Sequence, residues 1–208
     1  MSLFDLDEGG KELHTSFKPE NASASQKIKL KKANKDLLRK EEAKEIISSI
    51  GGIPKKGESF DIITNGQSNA GGFYEVIRDE WKGVDCLCVA TWIINRHYID
   101  ELEKDLKSGM LKKLVFIISN RMSQLGKTHA PNFNRLKTIC IEHKDKVSFR
   151  VVNSHAKTYA MTNGTDYITV DGSGNWSKNP RIENYTLSNS KTKFDFRLKW
   201  MMELCNAK

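Results

Sequence analysis

Between residues 60 and 143 the chain alternates short apolar runs with segments of helical periodicity, and this alternation restricts its possible folds more than any other feature. The apolar runs are Phe60–Thr64, Val84–Trp92 and Leu114–Ser119, and the helical segments are Phe73–Trp81, Tyr98–Lys107 and Asn132–His143. Such strands form crossover units, because parallel neighbours need a connection that returns to the same edge of the sheet. We therefore predict a largely parallel sheet covered by helices on both faces.

The last third of the chain has a different pattern. Four short apolar runs are separated by turns rich in Gly and Asn: Val147–Val152, Lys157–Met161, Tyr167–Val170 and Tyr185–Leu187. This spacing is typical of meandering strands, and Phe194–Leu204 has the pattern of a closing helix. The predicted fold class is α/β, with a mixed, largely parallel sheet between helices.

Residues 1–56 are predicted to form an N-terminal extension ahead of a domain at 57–208. Residues 1–32 have few large apolar side chains, so burial there does not offset the entropy of ordering. The segment Lys27–Lys40 carries seven basic residues and one acid, which fits either a solvated charge run or an arm that binds nucleic acid. A helix follows and is expected to end at Gly51-Gly52, where glycine adopts the closing left-handed conformation.

The overall charge is basic, with 34 Lys and Arg against 26 Asp and Glu and a formal charge of +8. This favours a polyanionic partner without identifying one. No run approaches the roughly 18 apolar residues of a membrane span, and the acidic N-terminus Met1–Glu8 does not resemble a secretory signal. We expect a cytoplasmic protein that is not associated with a membrane. Its four cysteines are expected to be reduced thiols.

Two motifs in the last third carry chemistry. His155 and Lys157 form H-x-K, and Gly172-Ser173-Gly174-Asn175 forms G-S-x-N after the next predicted strand. Residues i and i+2 of a strand point to one side, so the imidazole and the ammonium are predicted to face one spot suited to a phosphate. Gly172 permits close backbone approach, while Ser173 and Asn175 add hydroxyl and amide donors.

A histidine suits attack on phosphorus because its unperturbed pKa is near 6.5, so its neutral form is abundant and its protonated form serves as an acid. Glu183 follows the second motif and is placed to orient the ring by accepting from its other nitrogen. The other evident chemistries lack support: there is no G-x-S-x-G elbow, and the remaining histidines have no metal-ligand spacing.

These motifs resemble those of the phospholipase D superfamily: H-x-K, an acidic residue a few positions on, then G-S-x-N. The resemblance is strong over residues 151–183, looser over residues 84–118, and does not reach residues 1–56. It implies a phospholipase D-like α/β/α sandwich. It also implies roles for five residues: His155 as nucleophile or its acid–base partner, Lys157 and Asn175 as phosphate ligands, Ser173 as their support, and Glu183 as the acid beyond G-S-x-N.

One position departs from the family pattern. Five residues after Lys157, where the family commonly has Asp, this chain has Thr162. Asp166 and Asp171 are the available substitutes, and we assign neither to catalysis.

Members of the superfamily with one such motif per chain form the site across a homodimer. The resemblance therefore implies a dimer that brings two copies of His155 to one phosphate, with a phosphohistidine intermediate. No cofactor and no metal is expected. The basic composition ranks nucleic acid above phospholipid, and the segment Asn120–Asn132 is expected to be a long loop whose Arg121 and Lys127 bind substrate. The resulting hypothesis is a nuclease of DNA or RNA. Two alternatives remain: a catalytically inactive module that binds nucleic acid or a partner, and a phosphodiesterase acting on lipids or small molecules.

Overall fold

The computed structural model describes residues 35–64, 68–177 and 181–207. Within these ranges the chain forms five α-helices, one 3-10 helix and seven strands. In chain order they are α1 (Lys35–Ser49), β1 (Ser59–Thr64), α2 (Ala70–Trp81), β2 (Cys86–Thr91), α3 (Arg96–Ser108), β3 (Leu114–Ser119), the 3-10 helix (Asn120–Gln124), α4 (Gly126–Glu142), β4 (Val147–Val152), β5 (Thr158–Thr162), β6 (Tyr167–Gly172), β7 (Glu183–Asn189) and α5 (Lys191–Asn206).

The strands of the described residues form one sheet in the order β1-β7-β6-β5-β2-β3-β4. β2, β3 and β4 pair in parallel, and the other neighbours pair antiparallel. Consequently β5 and β7 run against the other five strands. The predicted mixed, largely parallel sheet is confirmed, with its parallel pairing confined to the β2–β3–β4 half.

Helices cover both faces of this sheet, as predicted. Successive residues of β2 show the division: Leu87 and Val89 point into the larger apolar cluster, which contains residues of α1 to α4, whereas Cys88 and Ala90 point into a smaller cluster under α5. Side chains alternate between the faces of a strand, so a strand buried on both sides is apolar throughout. This explains the unbroken apolar runs at β2 and β3.

Side-chain caps fix where α2 and α3 begin. The side chain of Asn69 accepts a hydrogen bond from the Gly72 backbone N–H at 3.1 Å, and that of Asn95 accepts from the Tyr98 backbone N–H at 3.1 Å. Each cap satisfies a backbone donor that has no partner within the helix. Both helices therefore start at the edge of the sheet where β1 and β2 end.

The helix expected before Gly51-Gly52 is present as α1, and both glycines have positive φ, +88° and +108°. Ala43 and Ile47 of α1 are buried in the larger cluster. The division of the chain at residue 56 stays a prediction, and most of the basic segment Lys27–Lys40 lies outside the described residues.

The expectation of a long loop at Asn120–Asn132 is wrong. The Ser119 side chain caps the 3-10 helix by accepting from the Arg121 backbone N–H at 3.3 Å, and α4 already begins at Gly126. Met122 and Phe133 are buried, which anchors the segment to the core. Gly126 and Pro131 interrupt the helical pattern in the sequence, but tertiary burial overrides them.

The helices of the described ranges are all too short or too polar to cross a membrane. The four cysteines are free thiols, with Cys88 and Cys140 buried and Cys86 and Cys205 half-buried.

Candidate active site

The residues of the two motifs meet at one edge of the sheet. His155 and Lys157 immediately precede β5, Ser173 and Asn175 immediately follow β6, and Glu183 begins β7. β6 runs antiparallel to both β5 and β7, so its end lies beside their beginnings. The antiparallel pairing of these strands therefore brings together five side chains that are spread over 29 positions of the sequence.

His155 and Lys157 contact each other directly. The Lys157 Nζ lies 3.2 Å from each ring nitrogen of His155 and donates to the His155 carbonyl oxygen at 3.1 Å. β5 begins only at Thr158, so the pair lies just outside the strand. His155 is exposed and Lys157 is half-buried, which leaves the imidazole accessible to a substrate.

The turn after β6 is shaped by two glycines that lie against β7. A Cβ on Gly172 would lie 2.3 Å from the Asn184 carbonyl oxygen, and one on Gly174 would lie 1.9 Å from the Tyr185 hydroxyl. Both distances are far below van der Waals contact. The motif therefore needs glycine here for close approach, and this holds Ser173 and Asn175 at the strand end.

Ser173 joins this turn to Glu183. Its hydroxyl donates to the Glu183 carboxylate and accepts from the Asn184 backbone N–H at 3.1 Å. Glu183 is buried, and in the part of the chain that the structure describes no hydrogen bond joins it to His155. The ring-orienting role of Glu183 stays a prediction, while its contact with Ser173 shows how the carboxylate is held.

Asn175 is fixed through its side-chain oxygen. The Ile93 backbone N–H donates to this oxygen at 3.3 Å, and the Thr91 hydroxyl lies 3.4 Å from it. The next residue, Trp176, is buried against Tyr74, Tyr98 and Tyr159. With its oxygen engaged, Asn175 has only its amide N–H groups to offer, which are the donors that a phosphate oxygen requires.

Electrostatics at the site centre on Lys157. Partial burial lowers the pKa of Lys157 from its ordinary value of 10.5, and the negative charge of Glu183 opposes this effect. Lys157 and the buried carboxylate of Glu183 thus lie close enough to interact electrostatically within one small region.

Sequence reasoning missed Trp92. Its ring centroid lies 5.1 Å from that of His155, with the planes at 55°, and the Lys157 Nζ lies 5.9 Å from the Trp92 ring centre. The sequence signal was weak because Trp92 is the last residue of the apolar run Val84–Trp92, where a buried core residue is expected. Only the antiparallel pairing of β2 with β5, in which Ala90 faces Thr158, brings it to the motif.

The structure also locates the departure from the family pattern. Thr162 is the last residue of β5, five residues from Lys157, which corresponds to about 16 Å along a strand. Asp171 binds Arg197 at 2.8 Å, and Asp166 accepts from the Asn189 side chain at 2.8 Å. Position 162 therefore lies at the far end of β5 from His155 and Lys157.

Two of the predicted substrate ligands, Arg121 and Lys127, lie outside this cluster. Arg121 is exposed on the 3-10 helix directly after β3, two strands from β5, and Lys127 is exposed in the first turn of α4. Among the described residues, no group of three or more His, Cys, Asp or Glu side chains is arranged to hold a metal ion.

Neither protein-family models nor curated proteins gave a match to this chain. Solved structures did. The phosphatidylserine synthase of Haemophilus influenzae Rd KW20 has a TM-score of 0.50 and 12% identity over 70% of this chain and 38% of that chain. The polyphosphate kinase of Porphyromonas gingivalis has a TM-score of 0.50 and 12% identity over 72% of this chain and 26% of that chain. NucT from Helicobacter pylori has a TM-score of 0.41 and 14% identity over 71% of this chain and 96% of that chain.

The chain therefore shares its fold with the synthase and the kinase, which agrees with the resemblance that the two motifs carry to the phospholipase D superfamily. The chain spans well under two thirds of the length of the synthase and of the kinase. It thus corresponds to one part of each of those larger chains.

Proposed function

We propose that this chain is a metal-independent phosphodiesterase that hydrolyses DNA or RNA at a site completed across a homodimer. The observation that carries the proposal is the convergence of His155, Lys157 and Asn175 at one strand edge. A nucleophile, a cation and an oriented amide are the groups that in-line displacement at phosphorus requires.

In the first step a ring nitrogen of His155 attacks the phosphorus, forming a P–N bond while the P–O bond to the leaving strand breaks. The partner subunit's His155, protonated, gives its proton to the departing oxygen. In the second step that histidine, now neutral, removes a proton from water, whose oxygen attacks phosphorus and breaks the P–N bond. The net reaction adds one water across one phosphodiester, and both histidines return to their starting forms.

Lys157 and Asn175 stabilise the charge that grows on the non-bridging oxygens. A cation and preorganised N–H donors act strongly in a partly dehydrated site. Two copies of each, one set from each subunit, would supply two cations and several donors to one phosphoryl group. This is the charge compensation that a divalent ion provides in other phosphoryl-transfer enzymes, so the proposed reaction proceeds in EDTA.

Charge supports nucleic acid as the substrate class. The chain carries +8, and Arg121 lies exposed at the end of β3, on the edge of the sheet that carries His155. Exposed basic groups beside a site bind successive phosphates of a polyanion and make its affinity depend on salt.

The direct test incubates wild type and His155→Ala with labelled single- and double-stranded DNA and RNA in EDTA. Cleavage by wild type alone is expected, with a phosphohistidine trapped by acid-free quenching. His143→Ala is the matched control, because His143 follows α4, toward the edge of the sheet away from the site, and its Nε2 is buried without a hydrogen-bond partner. If EDTA abolished cleavage and added metal restored it, the phosphohistidine scheme would be wrong.

The same samples separate the two alternatives. A protein that binds the oligonucleotides in a salt-dependent manner but cleaves none of them is a binding module. Cleavage of phospholipid in vesicles, with nucleic acid left intact, assigns the site to lipid.

The dimer is tested by mixing subunits. If two copies of His155 serve one phosphate, wild type re-equilibrated with a threefold excess of His155→Ala retains activity only in wild-type dimers, about one sixteenth of the total dimers for random pairing. Activity that follows the wild-type fraction linearly would overturn the shared site.

A further inference from the structure

Trp92 differs from the other tryptophans of the chain in what it contacts. Trp176 is fully buried, and the half-buried Trp81 and Trp200 pack against the two apolar clusters. Trp92 is also half-buried but belongs to neither cluster among the described residues. Its ring contacts are with His155 and Lys157, the two groups that define the site.

The position of Trp92 follows from the pairing of β2 with β5. Ala90 faces Thr158, so continuing the antiparallel register by two residues puts Trp92 across from Ala156, between His155 and Lys157. A large apolar ring left partly in water loses the stabilisation that full burial would give it. At this place the indole forms one wall beside the nucleophile.

We propose that Trp92 is a specificity-determining residue that stacks on an unpaired nucleobase next to the scissile phosphate, so that the substrate is single-stranded nucleic acid. This inference rests on the proposed function. A nucleobase is separated from its phosphate by one sugar. The Trp92 indole lies beside Lys157, the residue that would bind this phosphate. Bases within a duplex are already stacked and paired, so only an unpaired base can reach an indole beside the phosphate.

The chemistry of the wall favours a base over an aliphatic group. Every nucleobase presents a π-face, and stacking on an aromatic side chain tolerates any sequence. The Lys157 ammonium beside the indole adds a cation to the same surface, which suits a ligand with a flat ring and a phosphate attached to it.

The test uses binding to the His155→Ala protein, which would not consume the probe. Fluorescence anisotropy measures the affinity of this protein, with Trp92 or with Trp92→Leu, for three labelled oligodeoxynucleotides of equal length. One is single-stranded, one is single-stranded with every base removed from the central positions, and one is a duplex. We expect Trp92→Leu to lose about tenfold in affinity for the first and little for the other two. Trp200→Phe is the control for removing a half-buried indole elsewhere.

Three results would overturn the inference: equal affinity of both proteins for the base-bearing strand, an equal loss on the abasic strand, or an equal loss on the duplex. The second would mean that Trp92 contributes to binding of the backbone, through its contact with Lys157, and not to binding of a base. If Trp92→Leu does not fold, Trp92→Phe replaces it and tryptophan fluorescence is the readout: the base-bearing strand should quench the protein that has Trp92 more than it quenches Trp92→Phe, and the abasic strand should quench both equally. Failure of the proposed function is seen separately, as the absence of cleavage by wild type in EDTA.

Discussion

The Lys157 Nζ lies 3.2 Å from both ring nitrogens of His155. An ammonium only donates, and a point equally distant from both ring nitrogens cannot lie along both of their in-plane lone pairs, so the contact brings the cation to the ring without assigning it to one nitrogen. In the proposed reaction, a phosphoryl oxygen bound by Lys157 would lie next to the imidazole that attacks the phosphorus. The side chain that binds the substrate and the side chain that attacks it are thus held together.

Lys157 is expected to set the alkaline limit of substrate binding. Because burial lowers its pKa below 10.5, the ammonium loses its proton at a lower pH than an exposed lysine does. The affinity of the His155→Ala protein for an oligonucleotide should fall as pH rises toward 10.5, and adding Lys157→Arg should move that limb upward, since guanidinium stays protonated. Lys157→Met should lose about 100-fold in kcat/KM at neutral pH. An unchanged alkaline limb in Lys157→Arg would assign it to another group.

Asn175→Asp should abolish most activity without unfolding the protein. The aspartate keeps the oxygen that accepts from Ile93 N–H but replaces the amide donor with a negative charge that repels phosphate. We expect a loss of about 100-fold or more in kcat, together with a lower Tm because the new carboxylate is buried. Asn134→Asp, on the exposed side of α4, carries the same charge change and should stay active. Equal activity of the two variants would remove Asn175 from the site.

Gly172→Ala should destabilise the turn that carries Ser173 and Asn175. The new Cβ would meet the Asn184 carbonyl oxygen at 2.3 Å, and a backbone atom in a sheet cannot move aside easily. The expected cost is about 1–3 kcal/mol, seen as a lower Tm together with lost activity. Gly109→Ala is the control: it has φ +81° and open space, so it should cost about 1 kcal/mol and leave activity intact. An active Gly172→Ala would show that the turn tolerates displacement.

Placing the acidic residue of the superfamily motif at position 162 should not raise activity. Thr162→Asp adds a carboxylate at a nearly buried position whose carbonyl accepts from the Asp85 backbone N–H at 2.8 Å. Because position 162 lies about 16 Å along the strand from Lys157, we expect no gain in kcat/KM and a lower Tm. Thr162→Asn separates the effect of charge from that of size. A clear rise in activity of Thr162→Asp alone would mean that the acid serves the site.

The sequence by itself determined the order of the elements, because apolar runs and helical periodicity are local properties. The helix before Gly51, the strands at Leu114–Ser119 and Val147–Val152, and the closing helix all follow from such patterns. The spacing of His155 and Lys157 indicated the site for the same reason, since two residues separated by a single residue have few ways to be arranged.

The tertiary structure alone decided which distant residues join them. Trp92 reaches His155 only through the antiparallel pairing of β2 with β5, and Thr162 is removed from the site only because β5 carries it to the other edge. The segment after Ser119 became helical through burial of Met122, against its local Gly and Pro signals. Long-range pairing and burial depend on the whole sheet, so no local pattern in the sequence encodes them.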